Sequence, residues 1–226
     1  MIKLLIYDLD GTLIDSLKDI SNSINWMLKE LGLPELSERL IRLHVGSGVV
    51  HLIQNVLNEV SHDHQIDQNG IFDQALHLYR TRYSGHLLDE TRLYPGVKTV
   101  LEFFKRKKQA IVTNKTEEFS HRILKGLEID PYFFEVIGGD QTFPKKPAPD
   151  SVLKLIHSTG VNQNETVFIG DSAIDVQTGK NAKIRTIAVT YGFNSRQEIE
   201  SSRPDYIVNQ LNEVMALDLM KLSTPH

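Results

Sequence analysis

KLLIYDLDGTL, residues 3–13, is the stretch from which the fold can be read. Lys3 to Tyr7 is a short apolar run, and it stops at two acids, Asp8 and Asp10, followed by Gly11. A run that is continuously apolar rather than alternating is what a strand buried on both faces requires. If the chain stays extended past the strand, residues two apart point the same way, so both carboxylates face one site. Gly11 permits a sharp turn or a close approach of backbone. Taken alone, an acid pair after a strand reads as a solvated turn.

Four further runs share the strand character: Gln109 to Val112, Phe134 to Ile137, Val167 to Ile169 and Thr186 to Val189. Helix-period segments lie between them, an alternation that predicts an α/β fold, a Rossmann-like doubly wound parallel sheet covered by helices on both faces. Polar clusters follow the first four runs closely: Asp8 and Asp10, then Thr113 and Asn114, then Gly138-Gly139-Asp140, then Gly170-Asp171. Ligands of open α/β sheets bind outside the carboxyl ends of the strands. The clusters are therefore expected to converge on one crevice, which weighs against the solvated-turn reading of Asp8 and Asp10.

One region breaks the alternation. From about Asp15 to His86 the patterns are helical and no strand is evident. Leu17, Ile20, Ile24, Met27, Leu28 and Leu31 follow a 3-4 spacing, with Asp15 as candidate N-cap and Gly32 as stop. Val49, Leu52, Ile53, Val56, Leu57 and Val60 form a second apolar face, and Phe72, Leu76, Tyr79 and Tyr83 a third. An all-helical insert after the first strand reads as a small cap domain, residues 15–86, over a core of residues 1–14 and 87–226. Tyr94-Pro95-Gly96 marks the return to the core, with a helix expected over Val97 to Lys107.

Composition narrows the partners. The 226 residues are 40% hydrophobic and 24% charged, with a formal net charge of −4, which argues against nucleic acid. There is no long apolar stretch for a membrane span and no signal-peptide pattern at the N-terminus. Cysteine is absent, so disulfides and thiolate metal sites are excluded and any metal binds oxygen or imidazole. A cytoplasmic location fits. The basic run Lys105 to Lys108 reads as a solvated helix end complementing the dipole.

The clusters suit phosphoryl chemistry. Two unit charges about 4 Å apart repel by roughly 4 kcal/mol at an effective dielectric of about 20, so an anionic nucleophile approaching a phosphoryl group needs cations. Asp8 and Asp171 can offer carboxylate oxygens to Mg²⁺, and Lys146 a fixed positive charge. Thr113 and the adjacent backbone can donate to phosphate oxygens, aided by the start of a helix at Thr116-Glu117-Glu118.

Four segments occur in order: Asp8-Leu9-Asp10-Gly11-Thr12-Leu13, Ile111-Val112-Thr113-Asn114-Lys115, Lys146-Pro147-Ala148-Pro149-Asp150 and Gly170-Asp171-Ser172-Ala173-Ile174-Asp175. In these the chain resembles the haloacid dehalogenase superfamily of phosphotransferases, over almost its whole length. The resemblance implies a Mg²⁺-dependent phosphatase with an aspartyl-phosphate intermediate. Asp8 would be nucleophile and metal ligand. Asp10 would be general acid and then base, and would bind metal through its backbone carbonyl. Thr113 and Asn114 would hold phosphate oxygens. Lys146, which directly precedes the proline as the family lysine does, would bridge nucleophile and phosphoryl group; its neighbour Lys145 does not. Asp171 would be the second carboxylate ligand, with Asp175 supporting the metal or its waters. Asp10 also favours phosphoryl transfer over dehalogenation, since the dehalogenases lack this second acid.

Within the helical insert, Arg42 and the loop Gly46-Ser47-Gly48 are candidate substrate contacts, offering a guanidinium and free N–H groups to an anion. Val45-Gly46-Ser47-Gly48, Thr113-Asn114-Lys115 and Tyr94-Pro95-Gly96-Val97 look like the corresponding segments of phosphoglycolate phosphatases, whose substrate is a small phosphorylated metabolite. Lys18 and Lys183 depart from that group's usual proline and glycine. Inorganic pyrophosphatase and sugar phosphomutase are the alternatives within the superfamily, and a phosphoaspartate regulatory module is the alternative outside enzymes. A monomer or weak homodimer is expected. His62 and His64 read as parts of a polar loop, Trp26 as helix core, and Tyr191-Gly192-Phe193 as packing at one side of the site.

Overall fold

The computed structural model describes residues 1–61 and 68–217. Its strands in chain order are β1 (Leu4–Tyr7), β2 (Ile14–Asp15), β3 (Arg92–Leu93), β4 (Lys108–Val112), β5 (Glu135–Ile137), β6 (Thr166–Gly170), β7 (Arg185–Val189) and β8 (Tyr206–Val208). Six of them form one sheet in the order β5-β4-β1-β6-β7-β8, with every pairing parallel. The chain leaves β1 toward β4 and β5, then crosses to β6 on the other side. The strand order therefore switches at β1, where open α/β sheets place their ligand crevice.

Residues of β1 point alternately to the two faces. Leu4 and Ile6 pack with Ala110, Val112, Phe168 and the helix residues Val152 and Leu155. Leu5 and Tyr7 join Ile111, Ile169, Val100 and Ile123 on the opposite face. Both faces are covered, which is why the run reads as apolar without alternation. The covering helices are α5 (Val97–Phe103), α6 (Glu117–Gly126), α7 (Asp150–Thr159), α8 (Ala173–Asn181) and α9 (Arg196–Ser202).

The five strands expected from sequence are present, with ends shifted by a residue or so. Three short ones were not anticipated. β8 is a three-residue edge strand, and β2 and β3 are a two-residue antiparallel pair that places Ile14 opposite Leu93. Pairings this short carry no periodic signal. The helix expected to reach Lys107 ends at Phe103, and Lys108 already belongs to β4.

Between β2 and β3 lie α1 (Leu17–Glu30), α2 (Glu38–Arg42), α3 (Val49–Ser61) and α4 (Gln68–Gly85). The spacing residues of α1, from Leu17 to Leu28, are buried as the pattern requires, and Gly32 ends the turn with φ +70. Asp15 is not the N-cap. It is committed to β2, opposite Arg92, and Ser16 holds the cap position. α2 was not foreseen; its five residues are too few for a periodic pattern, but Ser37 caps it. His62 and His64 lie outside the described residues. Trp26 is half-buried against the apolar cluster, with the Arg82 guanidinium 5.7 Å from its ring centroid. No described helix is long and apolar enough to cross a membrane.

Asp19, in the first turn of α1, is buried and ties this helix to the chain re-entering the sheet. Its carboxylate accepts from Glu90 N at 3.0 Å, Thr91 N at 2.8 Å and Thr91 Oγ1 at 2.7 Å. Removing it leaves two buried or half-buried N–H groups unpaired, at a cost of about 3 kcal/mol. Asp19→Ala is therefore expected to lower the melting temperature by about 6–12 °C in a thermal scan. An unchanged midpoint would show that the clip contributes nothing.

Candidate active site

Asp8 is the first residue past β1, and its N–H continues the ladder to Ile169 O at 2.9 Å. The chain then folds tightly on itself. Leu13 N and Ile14 N both donate to Leu9 O, and Gly11 adopts φ +82. A Cβ at Gly11 would lie 2.3 Å from Asp171 Oδ2, so a larger residue would collide with the acid as well as strain the turn.

Asp171 leaves β6 in the same way. Ser172 caps α8, and Asp175 is the fourth member of a capping box: its Oδ2 accepts from Ser172 N at 3.1 Å and Ser172 Oγ at 2.6 Å, while Ser172 Oγ accepts from Asp175 N. Helix geometry alone thus turns Asp175 back toward the sheet. Its other oxygen meets Lys146 Nζ at 2.7 Å, and Nζ lies 2.8 Å from Asp8 Oδ1. Lys146 sits in the loop before α7 and is positioned by Asn114, whose Oδ1 accepts from Lys146 N at 3.0 Å and whose Nδ2 donates to Lys146 O at 3.2 Å. Lys145 instead lies beside Gly48.

Asp8, Asp171 and Asp175 are all buried, and a carboxylate oxygen from each falls within 4.8 Å of the others. Burial, followed by repulsion from Asp175, pushes the Asp8 pKa up to about 7 against the pull of Lys146. Burial and then Asp175 and Asp8 push Asp171 up to about 8, although Phe193 N donates to its Oδ2 at 2.6 Å. Burial pulls Lys146 down, and Asp175 and Asp8 more than reverse this, so its pKa lies above the ordinary lysine value. Asp8 Oδ1 is buried with the Lys146 charge beside it but no well-aligned hydrogen bond. Three hard-oxygen acids facing one ammonium, one of them with an unsatisfied oxygen, form a donor set that suits a small divalent cation.

Asp10 lies next to this cluster. Ser16 Oγ donates to its Oδ1 at 2.5 Å, and Lys115 Nζ approaches both of its oxygens at 3.1 Å. Lys115 Nζ also donates to Tyr83 OH of α4 at 2.6 Å. Asp8, Asp10, Thr113, Asn114 and Asp171 line one cavity, whose other walls are apolar residues of the helical segment such as Ile20, Val49 and Leu52. Gly46 and Gly48 line it too, and Ser47 does not.

Three residues expected near the site spend their side chains on other partners. Asn114 does not present its amide to the cavity, because both ends are used: Lys146 takes them as above, and Nδ2 also donates to Gly46 O at 3.0 Å. What it can still offer a phosphate is its backbone N–H. Arg42 does not face the cavity. Its Nε and a terminal nitrogen donate to Phe193 O at 2.7 Å and Gly192 O at 2.6 Å, so it fastens α2 to the loop after β7. Asp140 turns away to accept from Glu117 N at 2.7 Å, capping α6 rather than joining the acids. Sequence reading also passed over Lys115, Tyr83 and Ser16. The position of Lys115 directly after Thr113-Asn114 was the available signal.

The model of the haloacid dehalogenase-like hydrolase family matches residues 5–189, and the chain belongs to that family. Among named relatives, a phosphoglycolate phosphatase of Pseudomonas putida is 34% identical over 216 residues, covering 94% of this chain and 78% of that one. Another phosphoglycolate phosphatase, of Vibrio parahaemolyticus, is 35% identical over 223 residues and 95% of each chain. The crystal structure of a predicted phosphoglycolate phosphatase from Haemophilus somnus superposes with a TM-score of 0.91 at 32% identity, over 95% of this chain and 97% of that one.

The raised acids set a pH dependence. Asp8 and Asp171 hold protons in the fold that the unfolded chain has released above pH of about 4. Without metal, stability is therefore expected to fall as pH rises above about 4 and to level off once pH has passed about 7 and about 8. A divalent cation favours the ionised forms, so its stabilisation should grow over the same range. Melting temperatures from pH 5 to 9, with and without Mg²⁺, check this; equal Mg²⁺ effects at both ends would refute it.

Proposed function

We propose that the protein is a Mg²⁺-dependent phosphatase of small phosphate monoesters, with 2-phosphoglycolate as substrate, acting through an aspartyl-phosphate on Asp8. The carrying observation is the buried cluster at the carboxyl end of β1, where Lys146 bridges Asp8 and Asp175 with Asp171 alongside. The carboxylates of Asp8 and Asp171 and the Asp10 carbonyl would hold Mg²⁺, which when bound neutralises phosphoryl oxygens and lets an anion approach them.

Asp8 attacks phosphorus, and the bond to the leaving oxygen breaks as Asp10 delivers a proton to it. Asp10, held by Ser16 and Lys115, then takes a proton from the water that attacks the aspartyl-phosphate, and inorganic phosphate leaves. Lys146 stays between nucleophile and phosphoryl group throughout, fixed by Asp175 and by the Asn114 clamp on its backbone. Thr113 and the Asn114 N–H complete the phosphate cradle. Helices α1 to α4, residues 15–86, act as a cap on the core of residues 1–14 and 87–226, and the β2–β3 pair is its neck. The cap's apolar wall would keep bulk solvent away from the reacting groups while the single hydrolytic water is admitted. The names of the relatives point to the same ester.

A phosphate-release screen with Mg²⁺ over 2-phosphoglycolate, pyrophosphate, sugar phosphates and nucleotides tests the reading, and 2-phosphoglycolate should give the highest kcat/KM. Asp8→Asn should abolish turnover. Asp10→Asn should lower kcat by about 100- to 10,000-fold. Near-normal rates in either variant would overturn the mechanism.

A further inference from the structure

We infer that Lys115 and Tyr83 form the anion-binding subsite for the leaving group, and that they select esters whose alcohol carries a carboxylate close to the scissile oxygen. The inference rests on the phosphatase reading above. Among the described residues that line the cavity, Lys115 is the one cation. Its side chain is 6% exposed, and its Nζ reaches the face that the cap and the core share. The side chains of Ile20, Val45, Val49 and Leu52 in the cap's wall offer a leaving group only apolar contact. A leaving group that is itself anionic would be repelled by the acids of this site unless a cation met it.

Position supports the assignment. Asp10 handles the leaving oxygen, and Lys115 Nζ lies 3.1 Å from the Asp10 carboxylate. A substituent one or two carbons beyond that oxygen therefore falls beside Lys115. Nζ has three N–H donors and three contacts here, two to the Asp10 oxygens and one to Tyr83 OH, so a bound carboxylate would take over one of the pair now spent on Asp10. Tyr83 OH accepts from Lys115 at 2.6 Å, and its own proton has no acceptor among the described residues. Burial holds this phenol well above its ordinary pKa, so the donor persists through the working range. Nζ also sits 4.7 Å from the Tyr83 ring centroid, and that ring is wedged between Tyr79 at 5.4 Å and Phe119 at 5.7 Å. The ammonium and the hydroxyl are thus presented side by side, one from the core and one from α4, as a carboxylate with two oxygens requires.

The test is steady-state kinetics with Mg²⁺ on 2-phosphoglycolate and on 2-hydroxyethyl phosphate, which carries an alcohol where the first carries a carboxylate. The readout is the ratio of the two kcat/KM values. Wild type should prefer 2-phosphoglycolate. Lys115→Met should cut that preference by about 10- to 100-fold, the loss of one charge-assisted hydrogen bond, largely through KM. Tyr83→Phe should cut it by about 3- to 10-fold, and Lys115→Arg should retain most of it. An equal loss on both esters would mean that Lys115 only holds Asp10, and would overturn the subsite. If Lys115→Met does not fold, an unchanged ratio in Tyr83→Phe overturns it instead. A wild type inactive on both esters overturns the phosphatase reading and this one together. A wild type active on both, with a ratio that the variants leave untouched, overturns the subsite alone.

Discussion

One ammonium, Lys146, is buried against the carboxylates of Asp8 and Asp175, with Asp171 close by. A single positive charge cannot balance three acids in a dry site, and each unbalanced pair at such range costs several kcal/mol. Much of the local structure serves to hold this arrangement. Asp175 is fixed by the capping box of α8, and Lys146 is gripped at both ends of its peptide by Asn114. Gly170 has no side chain because a Cβ there would lie 2.3 Å from Asp175 Cβ; one on Gly192 would lie 2.4 Å from Asp171. The cluster is strained electrostatically so that a divalent cation can relieve it, and the raised pKa values of Asp8 and Asp171 express that strain.

The sheet and its acids could be read from the sequence because both follow from local rules. A strand covered on two faces is continuously apolar, and Asp8 and Asp171 come directly after such strands. Asp175 was legible only through the resemblance, although the capping box supplies its physical cause. What escaped depends on how a long side chain turns once the fold is made. Asn114, Arg42 and Asp140 all lie in the expected neighbourhood, yet each spends its hydrogen bonds on backbone. An amide matches a peptide group as well as it matches a phosphate, and a guanidinium matches two carbonyls as well as a carboxylate. Sequence alone offers nothing to choose between those partners. Lys115 escaped for the opposite reason: its partners Asp10 and Tyr83 are 105 and 32 residues away, one just past β1 and the other in α4.

Three of the polar contacts cross from the helical segment to the sheet and end on residues at the cavity, where the apolar cluster also runs continuously between the two. Arg42 of α2 takes the carbonyls of Gly192 and Phe193, and the Phe193 N–H donates to Asp171. Gly46, before α3, takes the Asn114 amide that also clamps Lys146. Tyr83 of α4 takes Lys115, which holds Asp10. Each bridge is one residue away from an acid or from the lysine that balances it. Moving the helices off the sheet would break contacts to the groups that position Asp171, Lys146 and Asp10. The contacts that cover the cavity therefore also bear on how its charges are aligned.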